Sequence, residues 1–462
     1  KSAVYHVLLK HMFYGGDWKD QLKSTVNSGM PAWIEEGLIN FFVEQWNEDV
    51  ESHVKDLVLT RKIDRFNDLT KEEKVYAGHA LWNYIAENHG LAMIPNILYV
   101  SRITKNIERG FYSLLNMDYT RLTRNYIAFY RARYVKEYEN QTEPEGDKIK
   151  LKNKKESVYY GLKISPDGDK IAYVENVLGR YKVKIRDLIT NKTTTIYKAE
   201  AKLERIQDQS YPTLEWHPSG QALAFFTERK GEVKFCIYSL QDKALTEKVM
   251  KQLEKVLSFG YATDGKNIIF SGVTNGQSDL FLYDVLSNTK KQLTNDIYDD
   301  LNPQFVDGNE RVIFSSNRKS DTIFKAPDIH FFDTKNDIYI FDLKQADRTY
   351  KYLERLTNTE SEDESNPYQL ADGNFIFLSE KNGLNNRFLA RKDSTISFID
   401  TAIHYRYYYD VAPQTNYVTS IIEHDYKKEH YSYLLYQNSQ YKFFTEDYKK
   451  TEIEVLWNTT YR

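Results

Sequence analysis

At 462 residues the chain is longer than one ordinary hydrophobic core supports, so two or more domains are expected. Its 63 basic and 66 acidic residues nearly cancel to a formal net charge of -3, which leaves no global field to draw nucleic acid or an acidic substrate. The single cysteine, Cys236, rules out an internal disulfide and a cysteine-built zinc site, and no apolar run of about 18 residues is present to span a membrane.

From Lys1 to Tyr138 the apolar residues recur at three- and four-residue steps, as in "LINFFVEQW" and "ALWNYIAENHGLAMIPNILYV", so 1–138 is expected to be a helical domain. The opening stretch "SAVYHVLLKHMFYGG" reads as a helix stopped by Gly15 and Gly16, its apolar face carried by Tyr5, Val7, Leu8 and Leu9. Pro31 stands near the start of the next helix. Because the chain starts inside an apolar-periodic segment, an upstream part is expected, with a signal peptide or lipid anchor among the candidates.

Residues 139–156, "ENQTEPEGDKIKLKNKKE", are charged and without apolar periodicity, and carry Pro144 and Gly146. They read as an interdomain linker. Beyond them the period switches to two and a repeat appears: "LKISPDGDKIAYV" (162–174), "LEWHPSGQALAFF" (214–226), "FGYATDGKNIIFS" (259–271), "PQFVDGNERVIFS" (303–315) and "PYQLADGNFIFLS" (367–379). The turn glycines Gly168, Gly220, Gly265, Gly308 and Gly373 are 52, 45, 43 and 65 residues apart, the length of a four-stranded propeller blade with variable loops. A third strand ending in Asp follows several pairs, as in "DLFLYDV" and "DIYIFDL". "YYYDVAPQTNYVTSIIEHD" followed by "HYSYLLYQ" is expected to form a sixth, diverged unit, so 157–455 is a β-propeller of about six blades.

These repeats resemble those of TolB and related bacterial envelope proteins, above all in "LTNDIYDDLNPQFVDGNERVIFSSNR" (293–318), and the resemblance covers about 155–450. It implies a TolB-like propeller in the cell envelope. The helical half resembles the gluzincin metallopeptidases of the peptidase-MA-like group: a His-bearing apolar helix precedes "MPAWIEEGLINFF" (30–42), "YAGHALWNYIAENHG" (76–90) is similar to the helix behind the zinc, and "SLLNMDYTRLTRNYIAFY" (113–130) to a terminal helix pair. In such sites two His one turn apart hold zinc, a Glu between them activates water, and a Glu on the next helix completes the set.

That resemblance places His6 at the second His and Glu36 at the third ligand, while Ser2 and Ala3 occupy the first-ligand and general-base positions. His6 and His11 are five apart and do not share a helix face, and Lys10 follows His6 by four. One His and one Glu leave a divalent ion short of ligands. A packing role for His6 is therefore preferred to a ligand role, and no metal or other cofactor is expected. His79 is a weaker substitute, since Asn83 stands at its i+4 position.

The turn aspartates Asp167, Asp264, Asp307 and Asp372 suit hairpin geometry better than calcium. Partner contacts are expected from an insertion at 317–337 carrying Phe324, His330, Phe331 and Phe332, and from the strand-like "HYRYYYD" with Tyr407 and Tyr408, since Tyr and Arg concentrate at interface centres. The expected function is a noncatalytic scaffold or recognition subunit of an outer-membrane or cell-envelope protein assembly of the Bacteroidota type, in protein export or outer-membrane protein insertion. Its expected partners are envelope proteins and an extended peptide in the emptied zincin cleft, without nucleic acid. The competing expectation is a zinc metallopeptidase completed by ligands upstream of residue 1 or from another chain. A propeller hydrolase of the prolyl-oligopeptidase type needs a G-x-S-x-G elbow, which this sequence lacks.

Overall fold

The computed structural model describes residues 4, 5, 7, 8, 30–149, 151, 157–198, 211–323, 335–359, 361–381, 383–399 and 403–448. A helical domain precedes a six-bladed β-propeller. Among the described residues no helix is long and apolar enough to cross a membrane.

The helical domain holds α1 (Ala32–Glu44), α2 (Glu48–Leu59), a 3₁₀ turn (Lys62–Asp68), α3 (Lys71–His89), α4 (Met93–Thr104), α5 (Ile107–Leu115) and α6 (Tyr119–Tyr138). Side chains start most of them: Asn47, Asn106 and Asp118 accept the first free amides of α2, α5 and α6, and Thr70 with Glu73 forms a capping box on α3. The core is a single cluster in which α1 and α3 cross at Gly37 and Gly78. A Cβ built on Gly37 would lie 2.5 Å from the Gly78 backbone, so the crossing needs both glycines. Trp82 of α3 donates its indole N–H to the Ile34 carbonyl (2.9 Å), and Tyr126, Tyr130 and Tyr134 form the buried stripe of α6. Of the opening helix, Tyr5 stacks on Phe42 (5.9 Å between centroids), whereas Val4, Val7 and Leu8 are exposed. The expected burial of Val7 and Leu8 is therefore not met; among the described residues of that helix Tyr5 is the one that packs on α1, and Leu9 lies outside them.

Blade one comprises β2 (Ser157–Ile164), β3 (Lys170–Val177), β4 (Arg180–Asp187) and β5 (Thr193–Lys198). Blade two comprises β6 (Thr213–Trp216), β7 (Ala222–Arg229), β8 (Glu232–Ser239) and β9 (Leu245–Val249). Blade three is built from β10 (Lys255–Tyr261), β11 (Asn267–Thr274), β12 (Gln277–Asp284) and β13 (Thr289–Gln292). In blade four β14 (Asp300–Val306), β15 (Arg311–Ser316), β17 (Asp337–Asp342) and β18 (Lys351–Arg355) are joined by the short β16 (Thr322–Ile323) on β18. Blade five holds β19 (Glu364–Gln369), β20 (Phe375–Ser379), β21 (Asn386–Ile399) and β22 (Ile403–Pro413).

Blade six comprises β23 (Ile421–Lys427), β24 (His430–Gln437) and β25 (Gln440–Asp447), and takes its outermost strand from β1 (Asp147–Ile149), antiparallel to β25 with Asp147 opposite Thr445. The ring is thus closed by a strand from inside the stretch read as linker, because β25 would otherwise present an open edge. The sixth unit also differs from its expected composition. "YYYDVAP" is the outer strand of blade five, and blade six begins at Ile421. Alternation alone does not tell a long outer strand from the first strand of a new blade.

The two domains touch at the β24–β25 turn. The Asp56 carboxylate on α2 accepts the backbone N–H groups of Asn438 (2.6 Å) and Ser439 (2.9 Å), both in the left-handed region, and Lys62 donates to Ser439 Oγ (2.8 Å). His53 lies between Tyr76 of α3, on which it stacks (4.2 Å between centroids), and the tilted ring of Tyr436 of β24 (4.7 Å).

Candidate functional site

The innermost strands of all six blades surround a cavity of about 340 Å³ on the propeller axis, lined among others by Lys163, Thr213, Ser258, Gln304, Tyr368 and Glu423. Five of these strands break register there, at Tyr160/Lys163, Val256/Ser258, Leu301/Gln304, Ser365/Tyr368 and Ile421/Glu423. Such bulges turn side chains and free backbone groups toward the axis. Gly161, Asn302 and Asn366 occupy left-handed conformations at three of them, where Gly and Asn are the least strained choices. Pro212 and Pro367 also line the cavity, and Pro303 lies between the lining residues Asn302 and Gln304. Proline donates nothing to a ladder, so it suits only a strand edge that faces no neighbour.

Buried charge stiffens one wall. Lys163 Nζ lies 3.0 Å from Asp425 and 3.3 Å from Glu215, and donates to Tyr368 OH (3.0 Å). Lys427 holds the other Glu215 oxygen at 3.0 Å. Burial opposes the Lys163 charge, but the Asp425 and Glu215 carboxylates more than offset it and hold the ammonium well above the usual lysine range. Glu423 accepts the Leu162 N–H (2.9 Å), and burial raises its carboxyl. His424 commits both ring nitrogens, Nδ1 to Tyr431 OH (2.9 Å) and Nε2 to the Asn366 carbonyl (2.6 Å); burial pushes it down to about 3, so it is neutral. The wall offers fixed polar groups that can position a ligand.

In the helical domain, His6, Ser2 and Ala3 lie outside the described residues. Glu36 lies 3.3 Å from Lys71 Nζ. His79 is buried between Phe41 and Trp46 with Nδ1 on the Asn40 amide (3.1 Å), and burial lowers it to about 4.

Asp279, Asp296 and Asp300 converge at the junction of blades three and four. The buried Arg318 meets Asp296 (3.0 Å) and Asp300 (2.5 Å) and thus already sits where a cation would. Burial, then the neighbouring Asp300, raises Asp279 to about 7. A related arrangement recurs one blade on: Asp337 bonds Arg355 and Thr359, and burial raises Glu364 to about 8. We read both as inter-blade fastenings. The turn residues Asp264 and Asp372 accept backbone N–H groups of Lys266 (2.8 Å) and Asn374 (3.0 Å), as hairpin aspartates do.

Of the expected contact residues, Phe324, His330, Phe331 and Phe332 lie outside the described residues. Tyr407 and Tyr408 stand exposed on β22, the outermost strand of blade five, at the opposite edge of its sheet from the axial strand β19. The axial residues Lys163, Glu215, Tyr368, Glu423 and Asp425 escaped the sequence reading. The available signal was Asn-Pro at 302–303 and 366–367, proline recurring where strands were expected.

No family profile matches the chain, and no curated protein matches it. Solved structures with a similar arrangement include TolB from Acinetobacter baumannii, 14% identical over 72% of this chain and 72% of that one with a TM-score of 0.38. The putative TolB from Agrobacterium tumefaciens is 14% identical over 57% of this chain and 86% of that one, TM-score 0.39. The β-propeller domain of the Trilobed protease from Pyrococcus furiosus is 16% identical over 64% and 80%, TM-score 0.38. At such identities the likeness is one of general architecture, and the six-bladed assignment rests on the strand pairing itself.

Proposed function

We propose that the chain is a noncatalytic recognition subunit of a bacterial cell-envelope protein assembly, binding a protein partner at the axial face of its propeller. The observation that carries this reading is the axial cavity, to which all six blades contribute and whose charged wall is already committed to internal bonds. A cavity of this size, near the small end of ligand sites, suits a chain terminus or one or two side chains of a docked protein. The noncatalytic part is supported by Ser2 and Ala3 at the ligand and base positions and by the pairing of Glu36 with Lys71. The envelope setting is supported by the resemblance of the repeats.

The test is affinity purification of the full-length protein from native membranes, alongside a Gln304→Trp variant that fills the cavity, with metal analysis of both. Wild type is expected to bring down a defined envelope complex that the variant loses, and to carry no zinc. Stoichiometric zinc with peptidase activity abolished by Glu36→Ala would overturn the reading, as would recovery of the wild type only as a free chain.

A further inference from the structure

Among the described residues, blade five carries a ribbon that the other blades lack. β21 and β22 run to 14 and 11 residues, and positions 391–398 and 403–408 are all exposed. The register sets Ile396 opposite Tyr405, Ser394 opposite Tyr407 and Lys392 opposite Tyr409 on one face; Thr395 opposite Arg406, Asp393 opposite Tyr408 and Arg391 opposite Asp410 share the other. The first face is apolar and aromatic, with Ile403, Tyr405 and Tyr407 at 50%, 52% and 63% exposure. The ribbon is held in shape rather than loose: Tyr409 donates to Glu354 of blade four (2.7 Å), Lys392 lies over the Tyr407 and Tyr409 rings (5.6 and 5.7 Å), and Tyr408 donates to Asp393 (3.1 Å). β22 ends its sheet, so among the described residues no strand pairs with its outer edge. A long aromatic edge of this kind is a template for another strand, and two strands alone are marginal in water.

The charges on that edge say which strand. Arg406 and Asp410 lie on the same face of β22 four residues apart, about 13 Å along a strand, and neither makes an ion pair among the described residues. We propose that β22 pairs antiparallel with β22 of a second copy of this chain, about a two-fold axis at Tyr408. That register sets Arg406 opposite the second copy's Asp410 twice, so each Asp410 is bracketed by Arg391 of its own ribbon and Arg406 of the other. It also sets Tyr407 opposite Tyr409 and Tyr405 opposite Val411, which continues the aromatic face across the junction. A two-fold at Arg406 would oppose the two guanidiniums, and one at Tyr407 would leave Arg406 opposite Tyr408. The contact is isologous and closed, and it is independent of what occupies the axial cavity.

The test is sedimentation velocity of the full chain over a concentration series. Wild type is expected to dimerise, and Arg406→Glu and Asp410→Lys are each expected to weaken the dimer about tenfold or more, since each opposes like charges twice across the axis. Both positions are exposed, so unchanged circular dichroism melts are expected. Mixing the two purified variants is expected to restore dimer, because at positions 406 and 410 every charge then faces its opposite across the axis of the heterodimer. A wild type that stays monomeric throughout overturns the proposal, as do single variants that dimerise like wild type or a mixture that dimerises no better than its components.

Discussion

Lys163 and Asp425 meet at 3.0 Å where the innermost strands of the first and last blades lie side by side, so a buried ion pair joins residues 262 positions apart at the closure of the ring. The same carboxylate accepts the Ile164 N–H through its other oxygen (2.8 Å), which ties the pair to the backbone.

Replacing Lys163 by Met strands the fully buried Glu215 and Asp425 carboxylates with one cation fewer between them. Breaking such a pair from one side costs about 3–5 kcal/mol. Urea denaturation is expected to show a loss of that order in Lys163→Met and a smaller one in Lys163→Arg; equal stability of Met variant and wild type would remove the ion pair from the account of ring closure.

At the crossing of α1 and α3 the expectation concerns backbone rather than charge. A Cβ at Gly78 would lie 2.3 Å from the Trp33 carbonyl oxygen, a group that cannot rotate away. Overpacking of this kind costs about 1–3 kcal/mol. Gly78→Ala is expected to lower the helical domain's melting temperature, followed by circular dichroism at 222 nm, and Gly90→Ala, where a Cβ meets nothing, to act only through its positive φ.

The domain contact hangs on Asp56, which receives two amides of the β24–β25 turn. Asp56→Ala leaves those amides without that acceptor, at about 1–3 kcal/mol. Calorimetry is expected to resolve two transitions in the variant where the wild type shows closer coupling; an unchanged thermogram would mean that the ring contacts of His53, Tyr76 and Tyr436 suffice.

Asp279 supplies a pH dependence of known sign. Its carboxyl titrates at about 7 in the fold and near 3.8 unfolded, so between those values the folded state binds more protons. Stability from this group is therefore full below about pH 4 and lost as pH rises through about 7. Asp279→Asn removes the term and offers an amide to the buried free oxygen of Asp300. The variant is expected to gain about 2–4 kcal/mol on wild type above pH 7 and to lose that advantage near pH 4, read from urea midpoints across the range.

Much of the architecture was legible in local pattern. Apolar steps of three and four marked the helices as far as Tyr138, and the five strand–turn–strand copies marked their blades. Short, nonlocal features were not. Nothing in "DKI" distinguishes β1 from its charged surroundings until β25 needs an outer partner, and the tyrosines of β22 carry the same alternation whether they open a blade or end one. The axial site was less legible still, since Lys163, Glu215 and Asp425 each sit in an ordinary strand and acquire meaning only together.

By itself the sequence determined which half is helical and which is strand and where the strand–turn–strand repeats fall, because periodicity and residue chemistry are local properties. The tertiary structure decided which strand closes the ring, which side chains share the axis and which edge is left open. Those depend on register between segments hundreds of residues apart, and a shift of one residue would turn every one of those side chains to the opposite face.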